Sequence, residues 1–179
     1  AVTGVQTCAL PIFFSDIEVF RESVDARKFP VTFSLTVDFI LPGKLENAAF
    51  KKGVVVAPDY GFSPITNVTF PKRPVVVGFG PAGLFAAYYL ALAGHRPIVI
   101  ERGEAVEERT LTVDLFWKEG LLNPESNVQF GEGGAGAFSD GKLTTRVKDP
   151  LARQVFKILV EHGAPQRILK DQKPHVGTD

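Results

Sequence analysis

Methionine is absent from this sequence, tryptophan and cysteine occur once each, and histidine occurs three times. The lone Cys8 cannot close an intramolecular disulfide or supply a thiolate metal site. His95, His162 and His175 show neither H-x-H nor H-x-x-x-H spacing, so no metal is expected. A surplus of either charge is also absent: 20 Lys and Arg balance 20 Asp and Glu, and the basic excess usual in a nucleic-acid binder is lacking. The longest apolar stretch, Leu84 to Gly94, falls well short of the ~20 residues a membrane helix needs. No P-loop occurs, and Ser139 lies in F-S-D rather than a G-x-S-x-G elbow, which argues against a serine hydrolase. What is present, 45% apolar and 22% charged residues, is the composition of a soluble globular protein. A cytoplasmic protein with a small-molecule substrate, and neither a nucleic-acid nor a membrane partner, is the expectation.

The opening "AVTGVQTCALPIF" lacks charge, helical or strand periodicity, and the basic start of a secretory signal. Val2–Ile12 resembles the translation of a common short-read sequencing adapter. Residues 1–13 are therefore expected to be non-native, Cys8 with them, and the chain to be a fragment.

Prolines at Phe70–Pro74 mark a boundary. Before it, residues 14–73 read as a small α+β module. In "VTFSLTVDFIL", Val31, Phe33, Leu35, Val37, Phe39 and Leu41 alternate with polar residues, the pattern of a strand with one buried and one wet face. "IEVFRESV" and "VVVAP" are shorter strand candidates, and Gly43 and Gly53 bracket a turn or loop.

After the boundary, residues 74–179 follow a different grammar. "PVVVGFG" and "RPIVIERG" are continuous apolar runs, expected to be strands buried on both faces. Between them "PAGLFAAYYLALAG" reads as a helix stopped by Gly94. The expected fold class is α/β: a parallel β-α-β unit opening an incomplete Rossmann-like domain. "DPLARQVFKILVEHG" is a further amphipathic helix, with Leu151, Val155, Phe156 and Leu159 on one face and Gly163 as its stop.

Gly78, Gly80 and Gly83 have G-x-G-x-x-G spacing, and here that spacing joins a strand to a helix, with Glu101 ending the next strand. The first glycine permits the turn, the second lets backbone approach a pyrophosphate, and the third lets helix and strand lie close. A side chain at Gly80 is expected to fill the pyrophosphate space and to be strained by a positive φ. Pro81 and Ala82 complete the turn at the helix N-terminus, which favours phosphate. Glu101 suits ribose hydroxyls and disfavours a ribose 2′-phosphate. Arg102 is read as facing adenine or phosphate, or as a solvated surface residue. Arg109 and Asp114 share the following helix; Arg109 is taken as a cofactor-domain contact and Asp114 as exposed.

A second glycine cluster, "NVQFGEGGAGAFSDGKLTTR", interleaves Gly131, Gly133, Gly134, Gly136 and Gly141 with Phe130, Phe138 and Leu143. Linkers rarely carry such aromatics, so a cofactor-facing loop is expected, with Ser139, Asp140 and Lys142 beside the ligand. Asp140 alternatively only closes a turn before Gly141.

The "GFGPAG … ERG" unit resembles that of glutathione-reductase-type flavoproteins. Together with "SVDARK", "DLFWKEGLLNPESNVQFGEGGAGAFSDGKLTTR" and "KPHVGTD", it resembles a bacterial family of FAD-dependent dehydrogenases, or NAD(P)/FAD-dependent oxidoreductases. The resemblance runs from about Ser23 to Asp179, departing from the family pattern at Ala137, where threonine is usual. It implies FAD as cofactor, NAD(P)H as a candidate electron donor, and a chain that continues through a substrate domain. No catalytic residue is assigned. A NAD-binding dehydrogenase and a non-catalytic nucleotide sensor are the alternatives.

Overall fold

A computed structural model describes residues 15–40, 55–57, 61, 67–147 and 149–177. The segment expected to be non-native, the stretch between Gly43 and Gly53, and Thr178 lie outside the described residues. The chain divides into two compact units, one of residues 1–60 with 145–174, the other of 61–144 with 175–179.

The first unit holds an antiparallel hairpin of β1 (Ser15–Asp25) and β2 (Thr32–Ile40). Val19 faces Val37, Glu22 faces Leu35 and Val24 faces Phe33, so the alternation in β2 gathers apolar side chains on one face. That face was expected to be buried, yet Phe33 is 63% and Leu35 51% exposed. Backbone pairing completes a hairpin, but burying its apolar face takes a second layer. At the other edge, the Glu22 N–H donates to the Lys170 carbonyl (2.8 Å) and the Gln172 N–H to the Glu22 carbonyl (3.2 Å). Of the strand expected at "VVVAP", residues 55–57 are described; they carry no strand pairing, and Val55 and Val56 are exposed, while Val54 and Pro58 lie outside the described residues.

Helix α3 (Pro150–Glu161) starts as its sequence dictates. Asp149 accepts a hydrogen bond from the Leu151 N–H (2.8 Å), and Pro150 occupies a first-turn position where no N–H is needed. Its buried anchor is Ile158, which the sequence reading left out, whereas Leu151 is 45% exposed. The guanidinium of Arg153 ties this helix to the turn after it through the Leu169 carbonyl (2.9 Å), and lies 4.0 Å over the Phe20 ring. Asp149→Ala should cost about 1 kcal/mol, the usual loss when an N-cap acceptor is removed. Urea unfolding compared with wild type measures it, and an unchanged midpoint would show that the cap is idle.

The second unit contains β3 (Val75–Val77), α1 (Pro81–Leu92), β4 (Ile98–Ile100) and α2 (Val106–Glu119). β3 and β4 pair in parallel, Val75 with Ile98 and Val77 with Ile100. α1 crosses between them and ends as Gly94 predicts. Gly94 takes φ +83°, its N–H donates to the Ala91 carbonyl, and the His95 N–H reaches back to Leu90. These are the paired bonds of a Schellman stop. The strands are not buried on both faces: Val77 is 81% and Ile100 51% exposed. A two-stranded sheet leaves outer edges open, and α1 covers only part of one face. The observed fold is thus mixed α/β, with one parallel and one antiparallel strand pair among the described residues.

Candidate functional site

Because β3 and β4 are parallel, their carboxyl ends open on one edge, where open α/β sheets place ligands. A cleft of about 610 Å³ lies there, lined by Gly78, Gly80, Glu101, Arg102, Phe130 and Gly134 among others. That size suits a small-molecule site.

Its floor is the turn from β3 into α1. Gly78 adopts φ +91°, and its N–H donates to the Ile100 carbonyl (2.7 Å). Gly80 caps α1 with φ −73° and ψ −177°, an extended conformation open to any residue. The expected positive φ at Gly80 is therefore corrected: it belongs to Gly78, because the left-handed step leaves the strand rather than entering the helix. A β-carbon at Gly80 would meet only the Gly134 Cα, at 3.8 Å. At Gly83 it would run into the Gly78 carbonyl, so the third glycine is what seats helix on strand. Among the described residues no side chain caps α1, and Pro81 lacks an N–H, which leaves the N–H groups of Ala82 and Gly83 for an outside acceptor.

Glu101 closes the wall opposite. One carboxylate oxygen accepts from the Phe79 N–H (2.6 Å) and the other from the Gly103 N–H (2.9 Å). These bonds, Gly103's first, hold its pKa below the ordinary glutamate value. The Arg102 and Gly131 N–H groups contribute to the same lowering. Arg102 stacks 4.2 Å over Phe130 and approaches Glu125 (3.4 Å). It is exposed and lines the cleft.

The second glycine cluster docks on the first. The Gly133 N–H donates to the Phe79 carbonyl (2.9 Å). Gly134 takes φ +63°, and a β-carbon there would sit 2.9 Å from the Gly80 Cα and 3.2 Å from Pro81 Cδ. Only glycine permits that approach. Gly136, in the short 3₁₀ turn Gly134–Phe138, lies beside Pro81. Arg109 is fully buried under this loop. Burial lowers its pKa, the Glu101 charge opposes that, and the guanidinium stays charged. Asp114 pairs instead with Lys118 at the surface (3.2 Å).

Ser139 and Lys142 do not line the cleft. Ser139 Oγ donates to the Gly136 carbonyl (2.8 Å) and accepts from the Gly141 N–H (3.2 Å). Lys142 Nζ pairs with Asp140 (2.6 Å), which lowers the Asp140 pKa. These groups close the turn at Gly141, φ +70°. Sequence reasoning missed Gly103 and Gln129. The backbone of Gly131 lies against Gly103, where a β-carbon would be 2.5 Å from the Gly131 Cα, and Gln129 lines the cleft. The glycine directly after "ER" was the available signal for the first; nothing local marks the second.

Fold and site together define a mixed α/β unit with a glycine-lined cleft at the carboxyl ends of a parallel pair. No family model matches the chain. Over 176 residues, covering 92% of this chain and 32% of the relative, it is 50% identical to a protein of Clostridium beijerinckii named only as uncharacterized. Shorter matches reach L-amino-acid oxidases. That of Crotalus adamanteus is 52% identical over 48 residues, 27% of this chain and 9% of the oxidase. That of Demansia vestigiata is 46% identical over 54 residues, 30% of this chain and 10% of the oxidase. The chain therefore spans about a third of the length of the clostridial relative and about a tenth of that of the oxidases.

Proposed function

We propose that this chain forms the dinucleotide-holding part of an FAD-dependent oxidoreductase, a dehydrogenase with a Rossmann-like domain behind its small N-terminal module. The observation that carries the reading is the docking of Gly134 on Gly80 and Pro81, beside the uncapped start of α1 and across from Glu101. The short similarity to proteins named L-amino-acid oxidase supports the oxidoreductase class.

The residues fit such a group. Gly78, Gly80, Pro81, Ala82 and Gly83 would cradle the pyrophosphate through backbone N–H groups. Glu101 would hold ribose hydroxyls, and Arg102 with Phe130 would flank the adenine side. Gly133, Gly134 and Gly136 would form the opposing lip. Arg109 Nη2 is buried with no hydrogen-bond partner among the described residues, and an unspent donor on a buried cation suits an anionic ligand nearby. When bound, FAD would supply hydride acceptance and electron release, while these side chains bind and orient it. NAD(P)H as donor, a cytoplasmic setting and a small-molecule substrate belong to the same proposal.

The direct test is to purify the full-length polypeptide, denature it and chromatograph the released ligand. FAD is expected; NAD, or no nucleotide, would sink the reading. Gly80→Val sharpens the test. The extended backbone at Gly80 accepts valine, and its β-carbon would meet only the Gly134 Cα at 3.8 Å, an ordinary van der Waals contact. The variant should fold with an unchanged circular dichroism spectrum and lose at least about tenfold in FAD affinity, the side chain standing where backbone must approach phosphate. Undiminished flavin content would show that the phosphates lie elsewhere.

A further inference from the structure

We infer that Arg109 is a positioning residue that clamps the second glycine cluster onto the first. The inference rests on the site reading above and adds to it what holds the two glycine stretches together. Arg109 comes from α2, yet its bonds go to the loop. Nε donates to the Asn127 carbonyl (2.9 Å) and Nη1 to the Glu132 carbonyl (2.5 Å), and the guanidinium lies 4.7 Å over the Phe138 ring. These three attachments bracket residues 127–138, so one planar group fixes both sides of the segment that reaches Gly80.

The loop is shaped to the arginine in return. Gly131 takes φ +123°, and a β-carbon there would lie 2.5 Å from Arg109 Cδ and 2.8 Å from Nε. The backbone is in van der Waals contact with the arginine stem, and no other residue type fits at that position. Asn127 braces the same stretch from within: its Oδ1 accepts from the Gln129 and Phe130 N–H groups, and its Nδ2 donates to the Asn123 carbonyl. The Glu132 N–H donates to the Glu104 carbonyl (3.0 Å), one residue past the Gly103 that Gly131 touches. Held at both ends, the loop presents Gly133 to Phe79 and Gly134 to Gly80. Lysine cannot replace this clamp. Its ammonium is a point charge without a planar fork, unable to serve two carbonyls and an aromatic face at once.

The test uses Arg109→Lys in the full-length polypeptide with two measurements. Amide hydrogen exchange without ligand reads the loop itself, and a fluorescence titration with FAD reads the site. Exchange at Gly131 to Gly134 should rise at least tenfold while amides of α1 keep their protection, and FAD affinity should fall at least tenfold. Unchanged loop protection overturns the inference, as does a loosened loop with undiminished FAD affinity. If wild type binds no FAD but Arg109→Lys loosens the loop, the clamp stands and the cofactor reading falls. Should Arg109→Lys fail to fold, Gly131→Ala serves. It keeps the charge but drives a β-carbon against Arg109 Cδ, and the same local rise in exchange is expected, its absence overturning the clamp.

Discussion

Gly83→Ala should destabilise the protein by about 3 kcal/mol, at the upper end of overpacking effects. The reason is backbone against backbone. The added methyl would run into the Gly78 carbonyl and press Val76 Cγ1 at 3.4 Å. No rotamer change relieves such a collision, so α1 must lift from β3 or the turn at Gly78 must open. Either move breaks the β-α-β unit that forms the floor of the cleft. Against a domain stability of roughly 5–15 kcal/mol, that is a large fraction. The matched control is Gly80→Ala, three residues earlier, whose methyl would find its nearest neighbour at 3.8 Å. Urea unfolding of the two variants should separate them clearly. A Gly83→Ala midpoint equal to that of Gly80→Ala would mean that helix and strand do not meet as described.

Glu101→Gln should cost about 1–2 kcal/mol near neutral pH, the lower part of the range for a donor left unpaired, because the two bonds it disturbs are only part-buried. The carboxylate accepts from two backbone N–H groups on different segments, Phe79 at the turn and Gly103 after β4. A carboxamide keeps one acceptor oxygen and turns an N–H₂ toward the other donor. The pH dependence follows from the lowered pKa of Glu101. A depressed folded-state value means the unfolded chain takes up the proton first as pH falls. The stabilisation is therefore complete above the ordinary glutamate pKa and is lost as pH drops through the lower folded value. Wild type should lose stability on going from about pH 6 to about pH 3 by more than Glu101→Gln does. Parallel urea titrations at those two limits check this. Equal slopes would show that the Glu101 charge contributes nothing.

Glu101 and Gly83 thus act on the same turn from opposite sides. Gly83 lets the helix come down on Gly78, while Glu101 ties Phe79 to the end of β4. Between them the Gly78–Gly80 backbone is held in place with no side chain projecting into the cleft. For any anionic ligand this counts as preorganisation, since little backbone must move on binding.

Much of this was legible in the residues themselves, because it depends on short stretches of chain. The glycine spacing between two apolar runs and the helix stop at Gly94 are local choices of backbone angle and hydrogen bond, and local sequence decides them. Tertiary structure alone decided the rest. Glu101 could be read as a ribose ligand, but not as the tie between Phe79 and Gly103. The loop after Asn127 could be read as facing a ligand, but its docking on Gly80 and Pro81 joins positions some fifty residues apart. Ser139 and Lys142 read as lying beside a ligand, and the bond of Ser139 to the Gly136 carbonyl and the ion pair of Lys142 with Asp140 were not legible. The apolar strands read as buried, yet Val77 and Phe33 stand open. Hydrophobic pattern states which face a strand would bury, and only a second layer against that face can bury it.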